Sequence, residues 1–143
     1  MALGVSRPIG SDQAKDWLDA HIPDQTGRTV LITGANGGLG AATARHLAAA
    51  GAHVILACRR ADQAGALAAE IGPAAQTLHL DLADLDSVKS AAAACGPVDT
   101  VVALAGVCHV PYDLTVDGFE LHTGINHLGH FALVGQLLDR ITD

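Results

Sequence analysis

Short β-branched runs alternating with longer alanine- and leucine-rich segments predict an α/β protein built on a doubly wound parallel sheet. Two further observations point the same way. The runs are continuously apolar, as expected of strands covered on both faces. The segments between them end at glycine or Gly-Pro, where a helix stops.

Taken in order, Ser11 to Ala20 is predicted as a short amphipathic helix carrying Trp17 and Leu18, followed by the turn-rich Ile22-Pro23-Asp24-Gln25-Thr26-Gly27. Residues 1–26 therefore read as a surface extension and residues 27–143 as a single domain. Within it, strands are expected at Thr29 to Thr33, His53 to Cys58, Thr77 to Leu80 and Thr100 to Leu104. Helices are expected at 39–50, 62–71 and 84–94, closed by Gly51, Gly72-Pro73 and Gly96-Pro97. A longer helix is expected over 117–140, with Asp117 as its cap and Glu120 in the capping-box position. It carries two apolar stripes, Leu121, Ile125, Leu128 and Ala132 beside Phe131, Val134, Leu138 and Ile141, which suits a helix meeting both a sheet and a second surface.

Composition narrows the function. The formal charge of −7 and isoelectric point near 5.4 disfavour nucleic acid and anionic membranes, which attract basic faces. Cys58, Cys95 and Cys108 form no Cys-x-x-Cys pair for zinc or redox work and suggest a reducing cytoplasm. The amino terminus lacks a signal-peptide pattern, and no apolar run approaches the ~20 residues needed to span a bilayer.

The stretch TGANGGLG, Thr33 to Gly40, joins the first strand to the helix that follows it. A glycine-rich turn in that place presents free amides and the positive end of a helix dipole, which together favour a pyrophosphate. Gly34 lets the chain leave the strand sharply, Gly38 lets a phosphate approach the backbone, and Gly40 lets the helix pack closely on the sheet. The spacing is Gly-x-x-x-Gly-x-Gly rather than Gly-x-Gly-x-x-Gly, and such a turn also serves simply as a tight turn. Roughly 20 residues on, where a carboxylate would bind an adenosine ribose, the second strand ends in Arg59 and Arg60. Two guanidiniums suit a 2′-phosphate and hence NADP rather than NAD; the alternative is a pair of solvated surface arginines.

TGANGGLG, the strand end LACRR, the segment LHLDLADLDSV and the segment DGFELHTGINHLGHFAL together resemble the short-chain dehydrogenase/reductase family, especially its retinol-dehydrogenase-like bacterial members. The resemblance runs from about Ile22 to Arg140, and its last segment is more specific than the glycine loop. It implies an incomplete Rossmann-like domain of about four strands. It also implies Gly34, Asn36, Gly38 and Leu39 at the pyrophosphate, Arg59 and Arg60 at the 2′-phosphate, and Asp81 with Leu82 beside the adenine. Ala105 and Gly106 would line the cofactor, and Asn126 matches the family's active-site asparagine, which helps hold a kink in the long helix and a water. The alternative is that Asn126 satisfies local backbone groups.

Two departures stand out. The family's Asn-Asn-Ala-Gly appears as Ala103-Leu104-Ala105-Gly106, which should loosen the ties between neighbouring segments. The family's proton donor, a tyrosine acidified by a lysine four positions later, has no match: Tyr112 is followed at the fourth position by Val116, the lysines are Lys15 and Lys89, and no serine, tyrosine or lysine follows Asn126. The resemblance also implies that the later strands of a complete family domain would fall after these residues, so Val101-Val102-Ala103-Leu104 is expected to be an open sheet edge. His122, His127 and His130 share one helix without a converging ligand set, so no metal is expected.

The expected function is thus the NADP-binding amino-terminal portion of an oxidoreductase that interconverts alcohols and carbonyls, inactive by itself. A small alcohol or carbonyl would be its substrate only if the domain is completed. The alternative is a non-catalytic module that binds dinucleotide or a protein partner. Self-association would use the long helix near 117–140 or the fourth-strand edge.

Overall fold

The structure, a computed structural model, describes residues 11–141. Strand β1, Thr29–Thr33, is its centre, with β2, His53–Cys58, and β4, Thr100–Ala103, parallel on either side and β3, Ala75–His79, beyond β2. The β3-β2-β1-β4 order places successive strands on both sides of β1, so the helices between them cover both faces.

The alternation of side chains along each strand divides the core in two. On one face, Val30, Ile32, Val54 and Leu56 pack against Ala44 of α2, Gly38–Ala49, and against Ala64 and Leu67 of α3, Ala61–Ile71. On the other, Leu31, Ile55 and Ala57 meet Val88, Ala91 and Ala92 of α4, Leu85–Ala94, and Leu133 and Leu137 of α6, His130–Leu137. Small alanines on α2 and α4 let backbone and sheet approach closely, which is why so few aromatic residues suffice for the core. Before the sheet, α1, Ser11–His21, leaves Trp17 exposed and stacked on His21, and the linker is tied to the end of α2 by Gln25 N–H donating to Ala50 O.

Two expectations shift. Strand β3 begins at Ala75 instead of Thr77, because pairing of Ala75 with Val54 sets its start; as a half-covered edge strand it needs no β-branched side chain there. The long helix does not begin at Asp117. Gly118, with φ of 83°, closes a turn from Thr115 to Phe119, and Glu120 becomes the cap, accepting from the His122 and Thr123 amides. Those donors hold the Glu120 carboxyl down at about 2. Asp117 instead accepts from the Leu85 amide, so α4 is capped by Asp84 from its own chain segment and by Asp117 from a distant one.

The helix itself is interrupted: α5, Leu121–Thr123, opens into a π-helical turn over Gly124–Gly129 before α6 and a closing 3-10 turn, Leu138–Arg140. The wider turn moves the buried line to Gly124, Gly129, Leu133 and Leu137. The first sequence stripe stays half-buried, whereas Phe131, Leu138 and Ile141 of the second are exposed. Ile141 forms a parallel bridge to Val98, just before β4. No helix among the described residues is long and apolar enough to cross a membrane.

Gly129 marks a close approach of this helix to backbone: a Cβ there would stand 2.6 Å from the Leu82 carbonyl oxygen, whereas at Gly135 it would meet nothing within 4 Å. Gly129→Ala should therefore destabilise the chain by about 1–3 kcal/mol, whereas Gly135→Ala should hold or raise stability by up to about 1 kcal/mol. Denaturant midpoints of the two variants check this contrast.

One buried polar pair crosses between β1 and α6: the Thr33 hydroxyl and His130 Nε2 lie 2.8 Å apart. Burial pushes the His130 imidazole below its ordinary histidine value. Folding thus favours neutral histidine, so this contribution is fully present above the unfolded value of about 6.5 and is lost as pH falls through the lower folded value. Tm should drop as pH is lowered from 7.5 toward 5, and His130→Gln should reduce that drop. An unchanged slope in the variant would contradict it.

Candidate functional site

The carboxyl ends of β1, β2 and β4 open into a cleft of about 270 Å³. Gly34, with φ of 67°, turns the chain out of β1; its amide still donates to Ala57 O, and its carbonyl accepts from Gly37 N–H to close the turn. A Cβ on Gly34 would stand 2.8 Å from Ala105 Cα, so this glycine also lets the loop touch the strand-β4 extension. Gly40 is needed because a Cβ there would strike the Gly34 carbonyl oxygen and Ala35 backbone. Its demand comes from the loop folding onto the first turn of α2 rather than from helix-to-sheet packing.

That first turn is bare. Gly37 caps α2 without a side-chain hydrogen bond, no acidic residue lies in the turn, and a Cβ on Gly38 would point into open space. Amides and helix dipole are therefore left facing outward with no competing carboxylate. Gly38 and Leu39 lie in this turn, exposed and outside the cleft's lining, and Gly40 is buried.

The structure brings Gly34, Asn36, Arg59, Arg60, Asp81, Leu82, Ala105 and Gly106 onto one cleft. Arg59 and Arg60 are exposed where β2 ends. Asn36 Nδ2 donates to Gln63 Oε1 at 2.6 Å, a link from the glycine loop to α3 that nothing in the motif spacing foretold. Asp81 Oδ1 accepts from the Ala83 amide at 3.0 Å, and the Asp81 amide donates to Ser87 Oγ, so this corner is held by its own turn. Leu104, Val107 and Ile125 also line the cleft, a place the sequence reading gave to none of them, since apolar side chains there look like any others.

Asn126 sits in the π-helical turn, and its amide pairs with Val107 at both ends: Oδ1 accepts from Val107 N–H at 2.8 Å and Nδ2 donates to Val107 O at 2.9 Å. Its partner is backbone 19 residues away, so its bonds are not local. The Ala-Leu-Ala-Gly segment keeps ties despite its missing asparagines: Leu104 and Ala105 N–H both donate to Thr33 Oγ1 at 3.0 Å. The three helical histidines have separate engagements. His122 contacts Glu120, His127 tilts against Phe131, and His130 contacts Thr33. No group of three or more histidine, cysteine or acidic residues able to hold a metal lies among the described residues. Burial pushes the Cys58 and Cys95 thiols up, which makes them poor nucleophiles.

Comparison with known proteins places this geometry. A family model described as short chain dehydrogenase matches residues 28–143. Human retinol dehydrogenase 13 is 44% identical over 133 residues, covering 85% of this chain but 39% of that protein. A crystal structure of an uncharacterized protein from Mycobacterium paratuberculosis superposes with a TM-score of 0.83 at 50% identity, over 87% of this chain and 46% of the other. A 3-ketoacyl-(acyl-carrier-protein) reductase from Brucella melitensis, complexed with NADH, gives 0.69 at 31% identity, over 80% of this chain and 50% of the other. The chain spans less than half the length of the retinol dehydrogenase and about half that of the reductase. With the family model matching residues 28–143, the stretch that carries the glycine turn, the parallel sheet and the interrupted helix, the chain belongs to the short-chain dehydrogenase family.

Proposed function

We propose that this chain is the dinucleotide-holding part of an oxidoreductase that prefers NADP to NAD. The observation that carries the reading is the presence of Arg59 and Arg60 on the same cleft as Gly34 and Asp81, at the strand end where a ribose-binding carboxylate would otherwise stand. The residues fit such a group. The uncapped first turn of α2 offers the Gly38, Leu39 and Gly40 amides to a pyrophosphate, with Gly34 and Asn36 beside it. Arg59 and Arg60 would hold the 2′-phosphate, Asp81 and Leu82 would flank the adenine, and Ala105 with Gly106 would form the wall nearer the nicotinamide. Asn126 would serve the active site by fixing the Val107 backbone beyond that wall.

Bound there, the dinucleotide supplies or accepts a hydride. Reduction of a carbonyl also needs a proton at the forming alkoxide, and these 143 residues contain no tyrosine followed four positions later by lysine. The only tyrosine, Tyr112, is 79% exposed on a loop. Turnover of an alcohol or carbonyl would therefore require groups from outside these residues, and the chain by itself would bind without reacting. Residues 1–26 would act as an extension to the dinucleotide-binding unit formed by 27–143. Three unpaired cysteines agree with a reducing cytoplasm as its setting. The exposed Phe131, Leu138 and Ile141, with the edge of β4, would serve for association with another chain.

Titration with NADPH and NADH, followed by nicotinamide fluorescence, tests the reading. Arg59→Ala with Arg60→Ala should weaken NADPH about tenfold or more while leaving NADH nearly unchanged. Equal loss of both would contradict the arginine assignment. Absence of binding by either dinucleotide would remove the cofactor role and leave the protein-interaction module.

A further inference from the structure

Thr33 is fully buried at the end of β1, and its hydroxyl has three neighbours. The Leu104 and Ala105 amides each donate to Oγ1 at 3.0 Å, and His130 Nε2 lies 2.8 Å away. A hydroxyl has one proton and two lone pairs. The two amides take both lone pairs, so the proton goes to His130 Nε2, which must be bare. The other ring nitrogen, Nδ1, stands 3.2 Å from the Asn126 carbonyl oxygen, which can only accept, so Nδ1 must carry the hydrogen. Two separate bonds thus require one and the same neutral tautomer.

We propose that His130 is a positioning residue of the cleft: as the Nδ1–H tautomer it takes the Thr33 proton and so keeps both Thr33 lone pairs on the Leu104 and Ala105 amides. Those residues and Gly106 line the cleft, and the next residue, Val107, is held by Asn126, whose carbonyl receives the other side of the same ring. The imidazole therefore joins the two anchors of this wall, Thr33 behind its start and Asn126 at its end. An apolar side chain at 130 would leave the buried Thr33 proton without an acceptor and let the hydroxyl turn toward the two amides it now accepts from. Glutamine would restore an oxygen acceptor without the ring. The arrangement of hydrogen bonds stands by itself; only its effect on a bound dinucleotide rests on the proposed function.

The test combines side-chain nitrogen NMR of the full chain with two variants, His130→Gln and His130→Leu. At pH 7.5 His130 should show a protonated Nδ1 and a bare Nε2; an Nε2–H tautomer or a doubly protonated ring would overturn the proposal. Leu104 and Ala105 amides should stay protected from hydrogen exchange in His130→Gln and exchange faster in His130→Leu. NADPH affinity should remain near that of the unsubstituted chain in His130→Gln and fall about tenfold in His130→Leu. Equal behaviour of the two variants in exchange and affinity would overturn the positioning role. If His130→Leu does not fold, the tautomer and the His130→Gln exchange pattern decide. If the unsubstituted chain binds no dinucleotide, the proposed function falls, and the tautomer and exchange results still judge His130.

Discussion

The Thr33 hydroxyl is the point on which the site depends. It lies at the carboxyl end of the central strand, where the regular ladder between β1 and β4 stops and two amides, those of Leu104 and Ala105, would otherwise lose their partners. Buried amides without acceptors are costly. One side-chain oxygen satisfies both and draws the β4 extension against the glycine turn. That approach in turn explains Gly34, whose missing Cβ is the space Ala105 occupies. The cleft is open because strand end, glycine turn and β4 extension are tied at this one place.

The rest of the fold supplies the surroundings. Covering β1 on both faces makes its residues a rigid floor, and the change of direction between β2 on one side and β4 on the other leaves a crevice at their carboxyl ends. The helix that follows the glycine turn contributes uncapped amides, while the helix after β4 contributes Asn126 from a π-helical turn. A π-helical turn breaks helical regularity and is common at functional sites. Here it carries an asparagine whose amide bonds the backbone of Val107 at both ends.

The electrostatic pattern is equally economical. The chain is acidic overall, yet the first turn of α2 has no carboxylate and the end of β2 has two arginines. Acidic residues are used instead as caps: Asp84 and Asp117 at α4, Glu120 at α5. Carboxylates are thus placed where free amides must be satisfied inside the protein. The uncapped amides at the glycine turn, which unlike the uncapped start of α3 have no acidic residue in the first turn, are left for a ligand anion under the proposed function.

Much of this was legible in the sequence. Apolar runs and glycine stops located four strands and their helices, because strand and helix preferences act within a few residues. The motif order then brought eight of the expected contact residues to one cleft. What could not be read depends on partners far away along the chain. Asp117 looked like a cap for the residues after it, yet its carboxylate serves Leu85, 32 positions earlier. Gln63 carried no signal until the fold set it beside Asn36. Thr33 and His130 are 97 residues apart, and neither residue type by itself announces a buried hydrogen bond. The sequence alone determined the class of fold and the chemistry of its loops, since backbone propensity and glycine geometry are local. Only the tertiary structure decided which polar groups satisfy one another, because that choice is made when distant segments are packed together and water is removed from between them.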